Sequence, residues 1–456
     1  MTSPYRLEAV QLQGVGVFDN TLIRFKPIES AEQDEKLAEI HLFTGPNGCG
    51  KSTLLYSLAE IFDGAGVQKS LIMRRFRSDK SRVDYLFAGD NEHYVSEWES
   101  PLAEGIYFTD KQFGKPLLDM GIAREYTYSA KHALMNYRVS KSRFELNHIQ
   151  VKFSFATFAY SGQRTLRSEP MVSIKEITNS PFDAAHSFDS TLRVNILLQW
   201  IAKNRVQFEL AKSDNDSTSA ATYDLALNRI TGLIRDVCDM EVEFRLERSP
   251  LAVTVKVNGD TIQFDGLPDG LKSIISWVAD LSLRLEAIPW EVEQDIFSQP
   301  IILFLDEVDI HLHPKWQRRI LPAIQKLLPN AQIFVTTHSP FVVGSVENAW
   351  VYRLPEPGTK TDGVMEIEGI PSGAGKSYRL ILNEIFGIDK EFDIETEALF
   401  DDFYQARAVF LKTPTNADEV IKIAGQLADR GEEAAAIVSR ELRQMSRVTG
   451  VEVSLA

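Results

Sequence analysis

The chain has 456 residues, 44% hydrophobic and 25% charged, which excludes a mostly disordered protein and leaves room for about three domains. Its 49 basic and 64 acidic side chains give a formal net charge of −15, which excludes uniform non-specific coating of a polyanion such as DNA. Two cysteines exclude a disulfide framework, and the lack of an 18-residue apolar run or a signal pattern predicts a cytoplasmic protein with no membrane span.

From Tyr5 to Phe25, apolar and polar residues alternate around Gly14 and Gly16, which predicts two short strands and a turn. After a polar stretch comes a compact apolar strand, Ile40 to Phe43, then a glycine-rich turn and a helix from about Lys51 to Phe62. Residues 1–63 thus form one part of an α/β head, and 64–150 read as a helical insertion carrying Lys69, Arg74, Arg75, Arg77, Lys80 and Arg82. That basic run predicts either a solvated face or a DNA contact. Strands resume at Val151–Tyr160 within a segment 151–190, and 191–240 reads as helical, interrupted by SDNDSTS at 213–219.

The segment 241–355 opens with Val242–Leu246 and Val253–Val257, then turns at Asn258-Gly259-Asp260 into Ile262–Phe264, a strong hairpin signal. Helix (Leu271–Ala287), strand (Ile301–Leu305), helix (Pro314–Leu328) and strand (Gln332–Thr337) then alternate, which predicts a parallel sheet flanked by helices. From 356 to 456 the chain reads mainly as amphipathic helices, a tail suited to a partner or oligomer contact.

Gly45-Pro46-Asn47-Gly48-Cys49-Gly50-Lys51-Ser52, followed by Thr53, satisfies G-x-x-x-x-G-K-[ST] between an apolar strand and a helix. The glycines let backbone N–H groups turn inward around phosphates. Lys51 would reach the β- and γ-phosphates and Ser52 would offer a hydroxyl to Mg²⁺, while the helix adds its positive end. The shorter run Gly373-Ala374-Gly375-Lys376-Ser377 is set aside, because Ile370 stands where a glycine is needed and no apolar strand leads in.

Ile301–Leu305 ends in Asp306-Glu307, and an acid at a central strand's carboxyl end can meet the Mg²⁺ while its neighbour polarises the attacking water. The next strand ends at His338, placed to sense a γ-phosphate. His311 and His313 could suggest a metal site with it, but no cysteine or third close ligand supports one.

The phosphate loop, LFLDEVDIHLHPKWQRR (303–319) and VTTHSP (335–340), in that order, resemble the ABC-type ATPases of the RecF/OLD group. The resemblance implies an ATP- and Mg²⁺-dependent ATPase head with a mixed sheet. Asp306 would take the magnesium position, Glu307 the water-activating one and His338 the switch. Asp269, Gly270 and Lys272, in LPDGLKS, match that group's signature loop, which reaches the ATP of the opposite subunit and so implies at least a dimer. Pro268 departs from the usual signature serine, and Gln163 matches the glutamine loop.

LPDGLKSIISWVADLSLRL (267–285) and LNEIFGIDKEFDIE (382–395) are similar to the ATPase subunits of Septu anti-phage systems and their retron-associated relatives. That similarity implies control of a separate HNH-type nuclease, with DNA reached through the complex. A stand-alone DNA-repair clamp is the alternative, although no heptad run lasts three repeats. A transporter ATPase is disfavoured because no LSGGQ occurs. The tail acids Asp389, Asp393, Glu395, Asp401 and Asp402 lie among helical apolar positions and read as solvated faces rather than a nuclease centre.

Overall fold

Period-two burial at the start of the chain makes β1 (Arg6–Val15) and β2 (Phe18–Arg24), which pair antiparallel with Val15 opposite Phe18, as the alternation predicts. The computed structural model describes residues 5–28, 36–62, 71–89, 92–99, 133–145, 151–162, 171–188, 191–359, 363–372 and 375–455. Next come β3 (Glu39–Thr44), buried along its whole length, and α1 (Lys51–Glu60). The segment read as a helical insertion is not helical throughout. It supplies β4 (Arg82–Gly89) and β5 (Glu92–Glu99) before α2 (Ala133–Glu145). β4 pairs with β1 because Val83, Tyr85 and Phe87 bury completely, giving a five-stranded sheet in the order β13 (Met365–Ile367), β2, β1, β4, β5.

Downstream lie β6 (Ala156–Tyr160) and the helix pair α3 (Val194–Ser213) and α4 (Ser217–Cys238), broken within SDNDSTS, where the Asp216 carboxylate accepts from Ser219 N–H and caps α4. β7 (Val242–Arg248), β8 (Leu251–Val257) and β9 (Asp260–Gln263) form a three-stranded meander, with Asn258 and Gly259 at positive φ in the tight turn. Then follow α5 (Asp269–Ala287), β10 (Ile301–Leu305), α6 (Pro314–Leu327), β11 (Ala331–Thr336), the single turn α7 (Pro340–Val343) and β12 (Ala349–Arg353). β13 (Met365–Ile367) and β14 (Ile370–Pro371) complete the sheets, and α8 (Tyr378–Ile381) ends this unit.

The second sheet runs β14-β12-β3-β11-β10-β6, and every pair in it is parallel except β12 with β14. Its central strands β3, β11, β10 and β6 are buried along their whole length and mostly apolar, as strands covered on both faces are. An aromatic core tiles it: Phe304 stacks on Phe334 at 5.4 Å, and Phe25, just past β2, meets Phe334 edge-on at 4.9 Å.

A separate unit, residues 382–456, holds α9 (Ile394–Lys412), α10 (Asp418–Ala428) and α11 (Glu432–Thr449). These helices share a core of Phe400, Phe403, Phe410, Leu427, Val438 and Leu442. Three of its acids do structural work. Asp393 caps α9 by accepting from the N–H groups of Glu395 and Thr396, Glu395 pairs with Arg430 at 3.0 Å, and Asp401 with Lys390 at 3.3 Å.

Candidate active site

Parallel strands deliver their carboxyl ends to one edge, and three neighbours here each carry one motif. β3 leads into the phosphate loop, β11 into His338 and β10 into Asp306-Glu307; β11 lies between the other two. Backbone bonds hold the ends level, since Thr337 N–H donates to Phe43 O (3.2 Å) and Asp306 N–H to Tyr160 O at the end of β6 (2.9 Å).

The loop itself is a cradle that depends on its glycines. Gly45, Gly48 and Gly50 all have positive φ, and a Cβ on Gly50 would sit 2.7 Å from Val17 and 2.8 Å from Phe18. Asn47 and Gly48 are exposed, while Cys49 is buried with its Sγ 3.6 Å from Lys51 Nζ. Lys51 Nζ donates to the loop's own carbonyls, Gly45 O and Pro46 O, both at 3.0 Å. Ser52 is half-buried in the first turn of α1, and Thr53, buried, receives a hydrogen bond from Arg75. The Arg75 guanidinium also lies 4.8 Å over the Tyr56 ring. Arg75 is thus part of the loop's surroundings, a role its membership of a basic run does not reveal. Arg77 pairs with Asp19 and Arg82 with Asp84, whereas Arg74 and Lys80 are exposed; Lys69 lies outside the described residues.

At the end of β10, Thr336 Oγ1 donates to Asp306 Oδ1 (2.5 Å) and accepts from Glu307 N–H (2.7 Å), fixing both acids to β11. Glu307 takes a left-handed conformation, φ 47°. Gly162 allows it: a Cβ there would lie 2.6 Å from Glu307 Cβ. Gln163, the expected glutamine-loop residue, lies outside the described residues.

These strand-end groups also act on one another electrostatically. Burial raises the Glu307 carboxyl above the usual range, the charges of Asp306 and Asp309 push the same way, and Lys51 opposes them. Burial and Lys51 lower His338, against the pull of Asp309 and Asp306. Asp309 is raised by its own burial, with one carboxylate oxygen buried and lacking a partner among the described residues. Lys51, Asp306, Glu307 and His338 therefore share one site, and Asp309, which the motifs do not single out, belongs with them. The phosphate cradle, an ammonium, an acid beside it and the α1 N-terminus fit an Mg²⁺-nucleotide.

The signature-loop residues lie elsewhere. Asp269 and Gly270 open α5 behind Pro268, Lys272 Nζ donates to Asp265 O (2.9 Å), and a Cβ on Gly270 would meet His311 O at 2.6 Å. Among the described residues, none of their recorded bonds is with the phosphate loop. α5 holds a buried ion pair, Arg284 Nε donating to Asp280 Oδ2 (2.6 Å), and is tied to β6 by Tyr160 OH, which donates to the same oxygen (3.0 Å). His313 serves as the cap of α6, its Nδ1 accepting from Lys315 N–H. Among the described residues there is no group of three or more His, Cys, Asp or Glu side chains placed to hold a metal, and no helix long and apolar enough to cross a membrane.

The chain is similar to several known proteins. The "Retron Vc95 probable ATPase" of Vibrio cholerae serotype O1 biovar El Tor is 22% identical over 395 residues, 76% of this chain and 74% of that protein. "Septu protein PtuA" of Bacillus thuringiensis is 23% identical over 367 residues, 77% of this chain and 79% of the relative. The SMC head domain from Thermotoga maritima aligns over 80% of this chain and 98% of its own at 15% identity, with a TM-score of 0.38. The family described as "AAA domain, putative AbiEii toxin, Type IV TA system" matches residues 40–344, from β3 through α7, and the chain belongs to this family of AAA ATPase domains.

Proposed function

We propose that the chain is the ATP-binding and ATP-hydrolysing subunit of an anti-phage defence complex that controls a separate HNH-type nuclease acting on DNA. The observation that carries the ATPase part is the convergence of Lys51, Asp306, Glu307 and His338 at the carboxyl ends of β3, β10 and β11. Ser52 and Asp306 would hold Mg²⁺, which when bound neutralises phosphate charge. Glu307 orients a water for attack on the γ-phosphorus and takes its proton, while the bond from that phosphorus to the bridging oxygen breaks to release ADP and phosphate. Lys51 and His338 stabilise the charge that gathers on the γ-phosphate oxygens.

The defence role is supported by likeness to a Septu protein and a retron ATPase, each across about three quarters of this chain. Asp269, Gly270 and Lys272 at the start of α5 would complete the ATP site of a second copy, making the working form at least a dimer. Pro268, the N-cap of α5, makes no side-chain cap bond and stands where the signature serine would hydrogen-bond the γ-phosphate, so slow turnover is expected.

The test uses the purified full chain with DNA, Mg²⁺ or Mn²⁺, with and without ATP. ATP turnover without DNA cutting, and a light-scattering mass above that of the monomer, are the expected results. Robust cutting that survives Lys51→Ala and repurification would overturn the regulator reading. Strong stimulation of turnover by DNA ends without any partner would favour a stand-alone repair clamp.

A further inference from the structure

Gln317 lies in the first turns of α6, half-buried, and its amide bonds in two directions. Nε2 donates to Asp309 O (3.3 Å) and Leu312 O (2.9 Å), and Oε1 accepts from Ser339 Oγ (2.7 Å). The two carbonyls belong to the turn that follows Glu307, whereas Ser339 directly follows His338. Ser339 is itself locked: its N–H donates to Thr337 Oγ1 (2.9 Å) and its Oγ accepts from the N–H groups of Phe341 and Val342 (3.1 and 3.3 Å). From the other side, Thr336 already holds Glu307 by its N–H. The turn needs restraint on both flanks, because Glu307 (φ 47°) and His311 (φ 62°) occupy left-handed conformations that side chains other than glycine resist.

We propose that Gln317 is a positioning residue for ATP hydrolysis. It clamps the Glu307 turn to the His338 strand end, so that the base and the γ-phosphate sensor meet the same nucleotide in register. The proposal rests on the roles given above to Glu307 and His338. A displacement of about 1 Å in such a group can cost on the order of a hundredfold in rate while leaving ground-state binding intact. Both amide functions are required, since a carboxylate at this position would face two carbonyl oxygens and an apolar side chain would bond neither loop.

The experiment measures single-turnover rate, ATP affinity and melting temperature for full-length Gln317→Met, Glu307→Gln and the double variant. Gln317→Met is expected to slow hydrolysis about ten- to a hundredfold with affinity and melting temperature nearly unchanged. In the Glu307→Gln background the same change should add less than about threefold, because it acts largely through that residue. Turnover of Gln317→Met close to wild type, or, where Glu307→Gln is itself slow, an equal loss in both backgrounds, would overturn the clamp. Normal turnover of Glu307→Gln would remove the base assignment instead, and a slow Gln317→Met with intact affinity would then leave the clamp acting through His338. Should Gln317→Met not fold, Gln317→Glu, which keeps the acceptor for Ser339 and loses both donations, is expected to show the same slow turnover at intact affinity, and the same results overturn it.

Discussion

At the amino end of the parallel sheet, Glu39 accepts from Arg6 Nη2 (2.7 Å) and Gln332 Nε2 (2.8 Å) and lies 2.7 Å from His41 Nε2, while His41 Nδ1 reaches Tyr352 OH. Gln332 also bonds both Leu7 N–H and Leu7 O, stitching β11 to β1 of the other sheet. At the carboxyl end of the same strands, acids, a histidine and a base meet again, but Glu307, Asp309 and His338 keep bonding capacity in reserve. One end is saturated and buried; the other is crowded with like charge and half-open. The same chemistry serves cohesion when every partner is supplied internally, and catalysis when one partner is left for a ligand.

The contrast can be broken most sharply at the saturated end. Glu39→Ala would leave the buried Arg6 guanidinium with the longer Glu8 contact (3.4 Å) as its remaining ion pair, and a loss of up to about 3–5 kcal/mol in chemical denaturation is expected. Glu307→Gln, by comparison, should melt no lower than wild type, because it relieves repulsion with Asp306 and Asp309. Comparable losses from both would erase the distinction between the two ends.

A smaller effect concerns acid. The partners of Glu39 bring its carboxyl down to about 2 from 4.5, against the opposing effect of burial. A depressed carboxylate contributes stability that is complete above its unfolded value and is lost as pH falls through the folded one. The melting temperature should therefore fall between about pH 4.5 and pH 2 by an amount that Glu39→Gln largely removes. An unchanged slope in that variant would place the acid sensitivity elsewhere.

Much of the carboxyl end was legible in the sequence, because its chemistry is local: a glycine cradle between strand and helix, and an acid pair and a histidine closing apolar runs. The alternation into β10 and β11 also fixed which ends would meet. What escaped was non-local. Thr53 and Arg75 lie 22 positions apart and meet only in the fold. Gln317 looks like one polar residue of an amphipathic helix until Ser339 is seen against it. β4 escaped for another reason: Asp84 and Leu86 bury along with Val83, Tyr85 and Phe87, so both faces are covered and the strand shows no clean alternation.

The measurement that bears most directly on the carboxyl end as the site of hydrolysis is the single-turnover rate of Glu307→Gln at saturating ATP and Mg²⁺, taken beside its ATP affinity by calorimetry. The expected result is affinity close to wild type with hydrolysis slowed at least about a hundredfold, the scale for losing a positioned base. Wild-type turnover in that variant would contradict it and place the base elsewhere.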